Sequence, residues 1–170
     1  ERAEARGIEL FVSSEQPVSW WASVSLAHAD DHVGGVRVPR SWDQQRALHA
    51  GVTWPVGEWS LSATANLHRG WPATEVGVVT TPAGETIVMA GPRNAVRLAT
   101  VRRLDMRASR DFGVGVGALR FFAEVTNLTN RDNPCCLVFE PETVNGSPTL
   151  MRRERGRAGI TGNLGLLWQF

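Results

Sequence analysis

Four residues in one short run carry the side chains best suited to metal or proton chemistry: His28, Asp30, Asp31 and His32, in HADDH. Imidazole and carboxylate donors suit several divalent ions, and the same groups can act as acid and base. No positioned nucleophile accompanies them, so catalysis is not expected. Polarity at the external end of a strand is the preferred reading. Cys135 and Cys136 form a second candidate pair. Tetrahedral metal sites normally use cysteines two to four positions apart, and neighbouring cysteines bridge each other only through a strained ring. Partners elsewhere and a vicinal bridge both stay open. No cofactor and no metal ion is expected.

GVGVG, Gly113 to Gly117, lacks the GxGxxG spacing of a phosphate-binding loop and reads as a flexible turn. Asn127-Leu128-Thr129 matches a glycosylation sequon by pattern only. Arg93, Arg97, Arg102 and Arg103, with Arg152, Arg153, Arg155 and Arg157, enrich two connecting regions in positive charge. They suit anionic ligands or lipid phosphates, against a default of solvated loops.

The elements that must position these groups are strands. With 170 residues, 42% hydrophobic, 21% charged and a net charge of +1, composition does not choose between a soluble domain and a membrane barrel. No stretch approaches the ~20 apolar residues of a spanning helix, and the near-zero charge leaves no nucleic-acid footprint. Seven segments alternate with a period of two, against about 9 to 11 residues for a membrane-crossing strand. They run from about Ala5 to Ser13, Ser19 to Asp30, Arg46 to Trp54, Trp59 to His68, Val101 to Asp111, Leu119 to Thr126, and Ile160 to Phe170. In the last, Leu164, Leu166, Trp168 and Phe170 share one face and end the chain on an aromatic, as outer-membrane barrels commonly do.

Short connections (14–18, 55–58, 112–118) alternate with long ones (31–45, 70–100, 127–156), which is the pattern of periplasmic turns and external loops. Ten of the thirteen aromatics lie beside the short turns: Phe11, Trp20, Trp21, Trp54, Trp59, Phe112, Phe121, Phe122, Trp168 and Phe170. At one depth they make an interfacial girdle. With the apolar rows outward, Asn66, His68, Asp105, Arg107, Asp111, Arg120 and Glu124 face the lumen, most simply as a hydrated or mutually paired wall. The expected fold is therefore all-β, an antiparallel up-and-down transmembrane β-barrel segment of about seven strands. An odd count cannot close a bacterial barrel, so the chain is expected to be the C-terminal portion of a larger one.

PRSWDQQ (39–45), GWPAT (70–74), GPRN (91–94), RLDMRASRDF (103–112), FAEVTNLTNRDNPCC (122–136) and the terminal LLWQF together resemble the end of a TonB-dependent outer-membrane receptor, in order and over nearly the whole of residues 1–170. The resemblance implies a barrel of about 22 strands occluded by a plug, in the outer membrane of a Gram-negative bacterium. Such a receptor takes up a scarce ligand, a ferric siderophore, cobalamin or an oligosaccharide. It further implies outer-membrane lipid and lipopolysaccharide, the barrel-assembly machinery, the receptor's own plug and the TonB system as partners, the last two through an N-terminal part outside this sequence. Leu164, Leu166, Trp168 and Phe170 are then the C-terminal assembly signal. A small outer-membrane barrel enzyme or adhesin, and a soluble lipocalin-like barrel with its apolar face around a ligand, are the rival readings.

Overall fold

The computed structural model describes residues 2–156 and 158–170. In chain order its strands are β1 (Arg2–Ser14), β2 (Ser19–Val33), β3 (Val36–Pro39), β4 (Arg46–Val56), β5 (Trp59–His68), β6 (Pro72–Ala73), β7 (Val76–Thr80), β8 (Thr86–Ala90), β9 (Val96–Arg97), β10 (Val101–Val114), β11 (Gly117–Thr126), β12 (Pro134–Val144), β13 (Ser147–Gly156) and β14 (Thr161–Gln169). No helix forms among the described residues. The seven expected strands correspond to β1, β2, β4, β5, β10, β11 and β14. They pair in that order as one antiparallel meander, with the β12–β13 hairpin outside it. The sheet is open, with β1 and β14 at its edges.

The long connections differ from the sequence expectation, for they are not plain loops. β2 runs three residues past Asp30 and folds back as β3 through Gly34 and Gly35, whose φ values of 57° and 79° suit a two-residue hairpin. The second connection holds the β7–β8 hairpin between the short pair β6 and β9, and the third is the β12–β13 hairpin. At the other end of the sheet, β10 and β11 pair down to Val114 and Gly117, so most of GVGVG is strand and only Gly115-Val116 turns.

Register settles which side chains share a face. Leu10, Val24 and Leu48 lie in one cross-strand row, and Leu48 continues to Leu67. Ala123 faces Ala108 on one side and Leu164 on the other, while Leu119 faces Phe112 and Trp168. This apolar face is the exposed one: Ile8 is 73% accessible and Leu164 77%, and Val24, Leu26, Leu48, Val52 and Leu61 are all exposed. The polar face is less accessible, with Ser23 at 7% and Thr64, Asn66, Asp105 and Glu124 half-buried or less. Only Ala47, Leu98 and Val101 are buried hydrophobic residues among those described. A water-soluble sheet has the reverse arrangement, with apolar rows inside.

The aromatic level needs one correction. All ten aromatics sit toward the short-turn end, but they do not share a face. Successive side chains in a strand point to opposite sides, so Trp20-Trp21 and Phe121-Phe122 must split. Phe11, opposite Ser23, and Trp21, opposite Ser13, are on the polar face, as is Phe122, opposite Ser109. The other seven border the apolar face.

Candidate functional site

The seven lumen candidates do occupy a single face of β5, β10 and β11. Antiparallel register places Arg107 opposite Glu124 and Asp111 opposite Arg120. Arg120 donates from Nε and Nη2 to both oxygens of Asp111, at 2.6 and 2.7 Å, the bidentate geometry that suits a guanidinium. Arg107 Nη1 lies 3.6 Å from Glu124. Asp105 accepts from Arg103 Nε at 2.7 Å and from the Asn127 amide at 2.8 Å. His49 Nδ1 donates to Asn66 Oδ1 across the β4–β5 pair at 2.7 Å. The buried His68 ring lies 5.1 Å from that of Trp71, and its Nδ1 donates to the Arg69 carbonyl. Opposite charges thus meet along the wall, which makes it polar and close to neutral.

Two glycines let the polar-face aromatics lie close to the sheet. A Cβ on Gly51 would come 2.5 Å from Trp21 Nε1, and one on Gly165 would overlap the Phe122 ring. Trp21 stacks on Phe11 with centroids 6.4 Å apart, and Arg107 caps the Phe122 ring at 4.0 Å.

At the long-connection end, buried polar groups replace a hydrophobic core. Asp43, 1% exposed, is the largest fully buried side chain among the described residues. Its carboxylate accepts the Ala29 amide at 2.9 Å and pairs with Arg97, which also donates to the carbonyls of Asp43 and Gly70. Asn94 ties the same region together: its Nδ2 donates to the Pro39 carbonyl at 2.6 Å, and its backbone amide donates to Thr74 Oγ1 at 2.9 Å. A second hub comes from NLTNRDNP. Asn127 Nδ2 donates to the Arg131 carbonyl, Asn130 Oδ1 accepts the Ile160 amide, and Asn133 Oδ1 accepts the Arg102 amide. Asn127 and Asn130 have φ of 52° and 47°, which asparagine tolerates better than most residues.

The three aromatics absent from the short-turn level, Trp42, Trp71 and Phe139, all line one cavity of about 530 Å³, with Cys135 and Cys136 on its wall. The pairing of β12 with β13 passes from Pro134–Gly156 to Cys136–Arg155, so Cys135 is an inserted bulge residue. The two sulfurs are 2.8 Å apart and both thiols are free. The hydrogen bond from Cys135 holds the Cys136 thiol pKa above its ordinary value.

HADDH belongs to the β2–β3 stem and is ion-paired there. Asp31 meets Arg40 at 3.1 Å and Arg93 at 3.2 Å, Asp30 meets Arg37 at 3.7 Å, and His32 lies 3.7 Å from Glu4. Among the described residues no three His, Cys, Asp or Glu side chains converge as metal ligands do. Of the arginines singled out in the sequence, Arg103 pairs with Asp105, Arg152 with Glu75 and Glu154, and Arg153 with Glu140. Arg157 lies outside the described residues. Leu164, Leu166 and Trp168 share the exposed apolar face of β14, and Trp168 meets the Phe170 ring edge-on at 6.0 Å.

Asp43, Asn94 and Asn133 were not singled out individually from the sequence, whereas Arg97 was singled out as a loop arginine and instead pairs with the buried Asp43. Their signal was the density of Asp and Asn in short connecting motifs, residues whose side chains bond neighbouring backbone. The class defined by the fold is an antiparallel all-β sheet. Comparison with family models, with curated proteins and with solved structures gives no match.

Proposed function

We propose that this chain is the C-terminal barrel segment of a TonB-dependent outer-membrane receptor, an active transporter for a scarce ligand rather than an enzyme. The observation that carries the reading is the inverted sheet: apolar rows exposed across seven strands, polar rows sheltered, and almost no hydrophobic interior. Moving each exposed Val, Leu, Ile or Phe out of water is worth about 1.5–3 kcal/mol, and acyl chains are the environment that takes a face of this extent. From Trp59 to Leu67 the apolar row of β5 covers eight residue steps, about 26 Å along the strand. At the tilt of barrel strands, about 35–45°, that spans roughly 20 Å along the membrane normal, most of the ~25 Å apolar band of an outer-membrane barrel.

The open edges of β1 and β14 support a larger closed barrel, because unpaired backbone groups in lipid cost several kcal/mol each. The paired polar wall suits an interior filled by water and a plug. In this reading the transported ligand meets the long-connection end, where the Trp42, Trp71 and Phe139 cavity opens.

Extraction of the full-length protein tests the reading. It should sediment with outer membranes, need detergent, and run with heat-modifiable gel mobility. A protein released by buffer alone, with unchanged mobility on boiling, would overturn it.

A further inference from the structure

We propose that Arg46, Arg69 and Arg102 form a binding site for the phosphorylated headgroup of a membrane lipid, whose acyl chains lie along Val24, Leu26, Leu48 and Leu67. The inference rests on the outer-membrane reading and adds to it a defined site, with named residues, for a phosphorylated lipid.

The three arginines and four apolar residues line a single groove of about 750 Å³. Register explains why they meet. Arg46 lies opposite Leu26, Leu48 opposite both Val24 and Leu67, and Arg102 opposite Leu67. The Arg69 amide donates to the Arg46 carbonyl at 3.0 Å, which holds these two residues side by side beyond the end of β5. Arg46 and Arg102 therefore occupy positions on the exposed apolar face, at its upper end, where the sequence alternation would otherwise place a hydrocarbon side chain.

Charge separates these residues from most of the other described arginines, and their shared groove separates them from Arg2, Arg131 and Arg155, which have no carboxylate partner among the described residues either. Eleven described arginines are ion-paired with a carboxylate: 6, 37, 40, 93, 97, 103, 107, 110, 120, 152 and 153. Arg46, Arg69 and Arg102 have no carboxylate partner among the described residues, and no Asp or Glu lines their groove. Arg69 donates instead to the neutral Gln45 side chain at 2.5 Å. Guanidinium groups fit phosphate oxygens with paired, charge-assisted bonds, and three of them directly above an apolar groove match an amphiphile with a phosphate head. The other end of the same face has the contrasting solution. There Arg110 is neutralised by Glu58 and lies against the rings of Trp59 and Phe112, so a bound anion is not needed.

The test uses the full-length protein in detergent and three probes: a bis-phosphorylated acylated disaccharide, the same lipid with its phosphates removed, and inorganic phosphate. Native mass spectrometry reads the bound fraction for wild type, for the Arg46→Gln/Arg69→Gln/Arg102→Gln variant, and for Arg155→Gln as a control away from the groove. Wild type and the control should bind the phosphorylated lipid alike, and the triple variant at least about tenfold more weakly, given the strength of hydrogen bonds to charged groups. The dephosphorylated lipid and free phosphate should each bind far more weakly than the intact amphiphile. Equal binding by the triple variant, or by the dephosphorylated lipid, or tight binding of phosphate alone, would overturn the proposal. Heat-modifiable mobility is read on the same samples: if it persists while the lipid result fails, only the lipid site falls, whereas its loss in wild type removes the membrane reading itself.

Discussion

Arg97 and Asp43 form an ion pair that joins two long connections, with the carboxylate sealed from solvent and the guanidinium also bonded to the carbonyls of Asp43 and Gly70. Removing one partner of a buried pair leaves an uncompensated charge, at a cost of about 3–5 kcal/mol. Asp43→Ala also takes the acceptor from the Ala29 amide. We expect this variant to keep the sheet but loosen the region that the pair ties together. Limited proteolysis of the full-length protein should show new cleavage within residues 31–45 and 70–100. An unchanged digestion pattern would mean that the pair does not organise these connections.

Phe122 depends on the absence of a side chain at Gly165 in the neighbouring strand. Gly165→Leu would force the ring and the Arg107 that caps it to move, an overpacking cost of about 1–3 kcal/mol. The double variant Gly165→Leu/Phe122→Ala should recover part of that loss. Unfolding in urea, followed by gel mobility, gives both values. A double variant no more stable than Gly165→Leu would contradict a direct clash.

The Cys136 thiol accepts its proton more firmly than an ordinary cysteine because Cys135 is hydrogen-bonded to it. Less thiolate is present at neutral pH, and the thiolate is the nucleophile. Alkylation of Cys136 should therefore be slower than that of a free model thiol near neutrality, and should gain rate at higher pH than the model does. Replacing its neighbour, in Cys135→Ser, should shift the rate profile back toward the model. Mass spectrometry after timed alkylation measures this, and a profile identical to the model thiol in the parent protein would refute it.

Most of the sheet was legible because a period of two survives in each of the seven meander strands, from Ile8-Leu10-Val12 to Leu164-Leu166-Trp168. Parity also put the charged residues on one face, and Asp111 and Arg120 fall opposite each other with the turn centred on Gly115-Val116. The β2–β3 and β12–β13 hairpins were missed although their turn signals are present. Gly34-Gly35 and Asn145-Gly146 are the dipeptides that favour tight hairpins, and both residues of each have positive φ. In β12 the consecutive Leu137-Val138-Phe139 and Pro141 break the alternation, and in β13 the run Arg152-Arg153-Glu154-Arg155 does, so no apolar row drew attention to them. Asp43 and Asn133 were hidden for another reason: they bond to backbone groups far along the chain, and no local spacing encodes such partners.

Which face meets hydrocarbon is decided by a pair of neighbouring residues at mid-strand. Ala63 lies on the apolar face of β5 between Leu61 and Ala65, opposite Met106, while Thr64 lies on the polar face opposite Asp105. A charged side chain on the lipid face near the bilayer centre costs about 2–4 kcal/mol, whereas lumen substitutions are tolerated far better. Ala63→Arg should thus lower the folded, heat-modifiable fraction strongly. Thr64→Arg, one residue away and beside the Asp105 carboxylate, should leave it nearly unchanged. In a soluble barrel with its apolar side inward, Ala63→Arg would be just as damaging, so solubility is read in parallel: the membrane reading requires that both variants still need detergent. Equal tolerance of the two arginines would show that neither face meets a hydrocarbon phase.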